Sequence, residues 1–204
     1  GDGTFVDHSE VLGQQRSAMS TSLALADVDG DTWPDMVEVC YVDDPSVYRP
    51  VQVLPGGFPV DSPGPNKFRS ALDRVFFGGR TGSARVQELV DHRAAKWGDV
   101  EADSTNAGRQ ESVPRIGDSA LPGLGLSVTQ LDETPGLDIF VANDARPNQF
   151  WRVERSDEST QRIMHQSAAT RGLATSVQGR TTACMGIAMS DFDRDGRNDL
   201  VVTN

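Results

Sequence analysis

Three stretches of the chain, Leu23–Val37, Leu126–Phe140 and Ile187–Val201, share one arrangement of apolar and polar positions. In each, apolar residues stand four and two positions before a nine-residue polar loop: Leu23 and Leu25, Leu126 and Val128, Ile187 and Met189. Period-two alternation of this kind marks a strand with one face on a core. A short apolar run follows each loop (Met36-Val37, Ile139-Phe140-Val141, Leu200-Val201-Val202) and ends at Cys40, Asn143 or Asn204. The repeating unit is predicted to be strand, tight acidic loop, strand. A helix is disfavoured because the flanking runs are short and rich in β-branched residues.

Third strands are predicted at Asp73–Gly78 and Asn148–Val153, and fourth strands at Thr4–Ser9, Ala84–Leu89 and Arg162–Ser167. The expected fold is therefore all-β, built from β-propeller blades of four antiparallel strands. The repeat cores span about 22–42, 124–143 and 185–204. The second and third loops begin 61 residues apart and the first and second 103 apart, so extra chain lies between the first two. Composition places insertions at about 44–70 and 91–120. Six of the eleven prolines fall within residues 45–65, which no central strand tolerates, and the second insertion is polar. Both are expected to project from one rim and to stay partly mobile, having few apolar side chains to offset backbone ordering. Fewer than three complete units are present, whereas propellers close with about four to eight blades. Residues 1–204 are thus expected to be part of a larger propeller, and Gly at position 1 suggests a processed or excised chain.

Charge sharpens this picture. Thirty acidic against 19 basic residues give a net charge of −11, and the pI is about 4.6. Such a surface repels phosphate and argues against nucleic-acid or anionic-membrane partners. Mean hydropathy of −0.42, with no apolar run near membrane-span length, excludes a spanning helix. Cys40 and Cys184 are too few for a disulfide scaffold; they read as two buried thiols, with one long-range bridge as the alternative.

The acidity concentrates in the loops. Asp191, Asp193, Asp195 and Asp199 occupy positions 1, 3, 5 and 9 of the third loop, with Gly196 at position 6. Alternate carboxylates on a tight turn converge on one centre, and a glycine supplies the positive φ the turn needs. The backbone carbonyl of Arg197 is a natural further ligand. Oxygen-only donors favour Ca²⁺ over Mg²⁺ or Mn²⁺, and zinc would call for His or Cys. Asp27, Asp29, Asp31 and Asp35 repeat the spacing in the first loop, where Trp33 offers the carbonyl. Its position 6 is Thr32, which resists positive φ, so its geometry is expected to differ. The second loop keeps Asp132 and Asp138 but has Gln130 and Thr134 at positions 1 and 5, and reads as a structural turn. An EF-hand competes through Glu38 at position 12 of the first loop. It fails because Val141 and Val202 stand there in the other loops and the following segments are strand-like.

At these residues the chain resembles the FG-GAP or VCBS repeat family, with Met185–Asn204 similar to the variety found beside ASPIC/UnbV-type domains. Gly1–Asp7 is similar to that variety's inter-blade linker strand. The resemblance covers roughly two thirds of the chain and skips both insertions. It implies an integrin-α-like propeller with calcium in the loops, in an extracellular, periplasmic or cell-surface setting.

Catalytic patterns are few. No H-E-x-x-H, G-x-S-x-G, Walker A or C-x-x-C motif occurs, and Gly123-x-Gly125 sits at a strand entry. His8, His92 and His165 read as surface histidines, and Trp33, Phe76, Phe77, Phe150 and Trp151 as packing between blades. Seventeen of the 19 basic residues are Arg, scattered along the chain. The expectation is a non-catalytic calcium-binding module for adhesion or for recognition of a protein or carbohydrate. The alternative is a catalytic propeller, such as a sugar or polysaccharide lyase, with its site on the insertion loops.

Overall fold

A computed structural model describes residues 3–7, 9, 18–48, 57, 64–80, 84–90, 120–155 and 162–204. Among them the chain forms β1 (Ser20–Ala26), β2 (Asp35–Cys40), β3 (Arg74–Phe77), β4 (Arg85–Glu88), β5 (Gly123–Thr129), β6 (Asp138–Asn143), β7 (Gln149–Arg155), β8 (Arg162–Gln166), β9 (Ile187–Ser190) and β10 (Asp199–Val202). The fold is all-β. Two four-stranded antiparallel meanders run in the orders β1-β2-β3-β4 and β5-β6-β7-β8, and β9 and β10 form a hairpin. Each repeat core is a hairpin whose turn is the acidic loop, with Ala26 paired to Asp35, Thr129 to Asp138 and Ser190 to Asp199. No helix among the described residues is long and apolar enough to cross a membrane.

The third strands and two of the fourth strands lie where the pattern places them. Thr4–Ser9 does not follow it: residues 4–7 are irregular, and Phe5 is almost fully exposed. The Asp7 carboxylate accepts the Ser9 amide at 2.8 Å, a local turn that competes with extension. The first insertion contributes 3₁₀ turns at Pro45–Tyr48 and Pro65–Lys67. Most of the rest of it, and the 91–120 insertion up to residue 119, lie outside the described residues, as does their expected projection from one rim.

The three sheets stack, the second packing one face on the first sheet and the other on the hairpin. Val37, Val39, Val75 and Phe77 of the first sheet pack on Ile139, Val141, Trp151, Val153 and Met164 of the second, with Leu126 and Val128 at the margin. The other face of the second sheet, Phe140, Ala142 and Phe150, meets Ile187, Leu200 and Val202 of the hairpin. β6 is buried along its whole length because it is covered on both sides. Buried aromatic and branched side chains contribute roughly 1.5–3 kcal/mol each, so the two interfaces carry most of the fold's apolar stabilisation. Of the five aromatics expected to pack between blades, Phe76, Phe77, Phe150 and Trp151 are buried and Trp33 is 42% exposed.

β5 lies closest to both neighbours, and two glycines make that possible. A Cβ at Gly123 would fall 2.3 Å from Val39, and one at Gly125 would fall 3.0 Å from Ile187 and from the Met185 carbonyl. A register shift between them turns one toward each neighbouring sheet. Thr21 and Ser22 of β1 then donate to the Gly123 and Leu124 carbonyls at 2.8 and 2.6 Å. Cys40 and Cys184 are both buried and are not joined in a disulfide.

Asp73, just before β3, places a carboxyl fully inside the core. Its Oδ1 accepts the Cys40 amide at 2.8 Å, and its Oδ2 has no hydrogen-bond partner among the described residues. Burial, reinforced by the Glu38 carboxylate and only partly offset by the Cys40 amide, pushes its pKa up to about 8. The folded chain thus keeps a proton here that the unfolded chain releases near pH 4. Stability should therefore fall as pH rises from about 4 to about 8, by up to roughly 1.4 kcal/mol per unit. Asp73→Asn, which keeps the acceptor for Cys40 and removes the titration, should flatten that dependence and stabilise the protein most near pH 8. Urea midpoints of both proteins across this range provide the check. Parallel pH profiles for the two would refute the assignment.

Candidate functional site

The first and third loops are the same object built twice. In the first, the Val28 amide donates to Asp35 Oδ2 at 2.9 Å, Asp31 to Asp27 Oδ1 at 2.9 Å and Thr32 to Asp27 Oδ2 at 2.8 Å. In the third, Phe192 donates to Asp199 Oδ2 at 2.8 Å, and Asp195 and Gly196 to the two oxygens of Asp191 at 3.0 Å each. Position 5 also donates to position 3: Asp31 to Asp29 at 3.1 Å and Asp195 to Asp193 at 3.0 Å. The backbone amides thereby hold three carboxylates in a fixed cluster. One oxygen from each of Asp27, Asp29 and Asp35 lies within 4.8 Å of the others, and the same holds for Asp191, Asp193 and Asp199.

Positions 5 and 7 play a different part. Asp31 Oδ1 accepts the Trp33 amide at 2.8 Å and Asp195 Oδ1 the Arg197 amide at 2.9 Å, which sets the exit from each loop. Asp31 and Asp195 lie outside the three-carboxylate clusters, so the structure brings together positions 1, 3 and 9 more tightly than position 5.

The expected departure at Thr32 does not occur. Thr32 takes φ 75°, alongside Gly196 at 88°, and its amide makes the same bond to position 1. The paired oxygens of Asp27 dictate the turn and the side chain accommodates it, at the expense of left-handed strain.

Electrostatically the two clusters differ. Asp35 is fully buried at the base of the first loop, and burial, with added repulsion from Asp29 and Asp31, raises its pKa despite amides donated by Gly78 and Val28. Asp29 is paired with the Arg162 guanidinium, which reaches across from β8 and lies over the Phe77 ring at 5.5 Å. Among the described residues, Asp191, Asp193, Asp195 and Asp199 have no cationic partner, and Arg197 instead pairs with Glu133 at 2.8 Å. Each cluster gathers three carboxylate oxygens within 4.8 Å of one another, donors of the type a hard divalent cation takes, and in the first cluster Asp29 also pairs with Arg162.

The second loop has the same frame and a different interior. Asp138 Oδ2 accepts the Leu131 amide at 2.8 Å, and Asp132 Oδ1 accepts Thr134 at 2.8 Å. The bonds to position 1 are missing, because Gln130 is no carboxylate and Pro135 at position 6 has no N–H. The positive φ moves to Gly136 at 121°. Arg152, overlooked in the sequence, places Nη2 2.7 Å from Asp132 and 3.0 Å from Asp138, and Arg171 reaches the other Asp132 oxygen at 2.6 Å. These partners come from β7 and from the turn after β8, so no local motif announces them. A polar cleft of about 720 Å³ lies between the second and third loops, lined among others by Gln130, Thr134, Arg171, Arg197 and Asn198.

His165, the described member of the three histidines, is expected at the surface but is mostly buried on β8, with its Nε2 3.3 Å from the half-exposed Glu154 carboxylate. No family model matches the chain, and no curated protein matches it.

A left-handed β-branched residue costs roughly 1–2 kcal/mol, against about 0.5–1 kcal/mol for the extra backbone freedom of glycine. Thr32→Gly is therefore expected to stabilise the protein by about 0.5–1 kcal/mol, and Gly196→Thr to destabilise it by a similar amount. Paired urea denaturation curves would test this, and a less stable Thr32→Gly protein would contradict it.

Proposed function

We propose that the chain is a calcium-binding β-propeller repeat protein of the FG-GAP/VCBS kind, acting as a non-catalytic module for adhesion or recognition. One observation carries this reading: two loops 164 positions apart reproduce the same amide-to-carboxylate network around three converging carboxylates. A network that holds like charges close together gains further stability when a cation joins it. Asp27, Asp29 and Asp35, and Asp191, Asp193 and Asp199, would hold the ion. Asp31, Asp195 and the carbonyls of Trp33 and Arg197 would complete the oxygen shell. The ion would supply charge neutralisation and rigid loops, and the setting would be extracellular, periplasmic or at the cell surface.

The sheet faces support the propeller. Leu126 and Val128 of β5 face the first sheet and are partly buried by it. Their counterparts in β1, Leu23 and Leu25, are 63% and 76% exposed. The first sheet thus presents the kind of face that the second sheet buries under a blade, which suits a further blade of a larger ring. The protein or carbohydrate ligand would be met at polar surfaces such as the cleft between the second and third loops.

Calcium that binds only the folded chain stabilises by about 2.7 kcal/mol per site at a hundredfold excess over Kd. Chelation should therefore lower the melting temperature by several degrees. Asp193→Ala should abolish much of the calcium response. Asp132→Ala should leave that response intact while lowering stability with and without calcium, because it strips partners from Arg152 and Arg171. Identical wild-type melts with excess Ca²⁺ and with chelator would sink the reading.

A further inference from the structure

We infer that the second loop carries its own cation, the guanidinium of Arg152, which takes the role that a metal ion would play and makes this repeat independent of divalent ions. Of the three converging positions, 1, 3 and 9, the second loop retains carboxylates only at 3 and 9, Asp132 and Asp138. Arg152 Nη2 contacts both, at 2.7 and 3.0 Å. A charge-assisted contact to two carboxylates at once is what a resident cation supplies.

The placement is set by the sheet. Arg152 lies directly across from Asp138 in the β6–β7 ladder. The corresponding position in the first sheet is Phe77, one residue past Phe76, which pairs with Met36. A phenyl ring there leaves Asp35 without a counter-charge from its own sheet, and the Gly78 amide donates to it instead at 2.9 Å. Arginines at position 3 do not make this distinction, since Asp29 and Asp132 each have one, Arg162 and Arg171. Among the described residues, Arg152 alone joins positions 3 and 9.

Burial makes the pair consequential. Asp138 is fully buried, and the Arg152 side chain is 17% exposed. Burial works against the charged form of Asp132, but the Thr134 amide and Arg152 outweigh it and hold the carboxyl below its usual range. Burial likewise opposes the charge on Arg152, and Asp138 and Asp132 overcome it. The loop's charges are thus matched internally, whereas those of the third loop are not. Losing the guanidinium would leave a buried carboxylate uncompensated.

Two measurements on the full chain decide the matter. Calorimetric titration of the wild-type protein with CaCl₂ should give two equivalents, and a third would overturn the inference. Hydrogen exchange at the Leu131 amide, which donates to Asp138, should be unchanged by chelator in the wild type. In Arg152→Gln it should be at least tenfold faster with and without Ca²⁺. Chelator-sensitive exchange at Leu131 in the wild type would show that a metal holds the loop, and unchanged exchange in Arg152→Gln would show that Arg152 does not. If Arg152→Gln fails to fold, the chelator comparison on the wild type still decides. Absence of any calcium uptake would defeat the calcium reading of the other loops, while the Leu131 comparison would still test Arg152 by itself.

Discussion

The carboxylate at the ninth loop position fixes the architecture of every repeat. Asp35, Asp138 and Asp199 each begin the second strand of a hairpin and each accept the amide of loop position 2, at 2.8–2.9 Å. That bond closes the loop back onto its own strand and sets where the hairpin's register begins. It persists in the second loop, where the acids of positions 1 and 5 are gone. A short carboxylate is required here because it must accept from the loop with one oxygen while the other serves a second partner: Gly78 in the first loop, Arg152 in the second. The remainder of each repeat accommodates the charge that this bond buries.

Stacking follows from that hairpin. Once the register is set, β2 and β6 present alternate residues to their two faces, and the apolar content of both faces and what covers them decide how deeply each sheet is buried. β6 offers Ile139 and Val141 to one side and Phe140 and Ala142 to the other, so it is sandwiched. β2 offers Val37 and Val39 inward, with Met36 and Glu38 on its outer side. Glu38 is tolerated there because Arg74 and Ser20 satisfy it. The close approach of β5 to both neighbours needed two glycines and a bulge, a backbone device rather than a side-chain one.

The hairpins, the loop boundaries and the carboxylate positions were legible in the sequence because each rests on local spacing. Period-two alternation specifies a strand regardless of what it packs against, and alternate acids in a nine-residue turn must crowd together. What failed depended either on side-chain-to-backbone bonds that override a residue's own preference or on partners distant in sequence. Thr4–Ser9 has strand-like composition but no described ladder to join, and Asp7 turns the backbone instead. Thr32 looked incompatible with positive φ, yet the two oxygens of Asp27 impose it. Arg152 and Arg162 reach the loops from neighbouring strands, 20 and 133 residues from the acids they meet, and carry no motif. The buried state of Asp73 likewise follows from stacking rather than from its flanking residues.

The three loops therefore balance like charge in three ways on one frame. In the first, an arginine from the adjacent sheet takes up Asp29 and leaves Asp27 and Asp35 to be matched. In the second, Arg152 and Arg171 match both remaining acids from within their own sheet and the turn that follows it. In the third, four carboxylates stand without a described cationic partner. The need for an external cation should accordingly rise from the second loop to the first to the third. The cleft between the second and third loops lies where this contrast is greatest. One wall is held by guanidinium–carboxylate bonds that are indifferent to divalent ions. The other, through Gly196, Arg197 and Asn198, belongs to the loop with the most uncompensated charge. The Arg197–Glu133 pair spans the two walls, but with both side chains more than 70% exposed it contributes at most about 1 kcal/mol. The ion pair that crosses the cleft is thus too weak to fix the relative position of its two walls by itself.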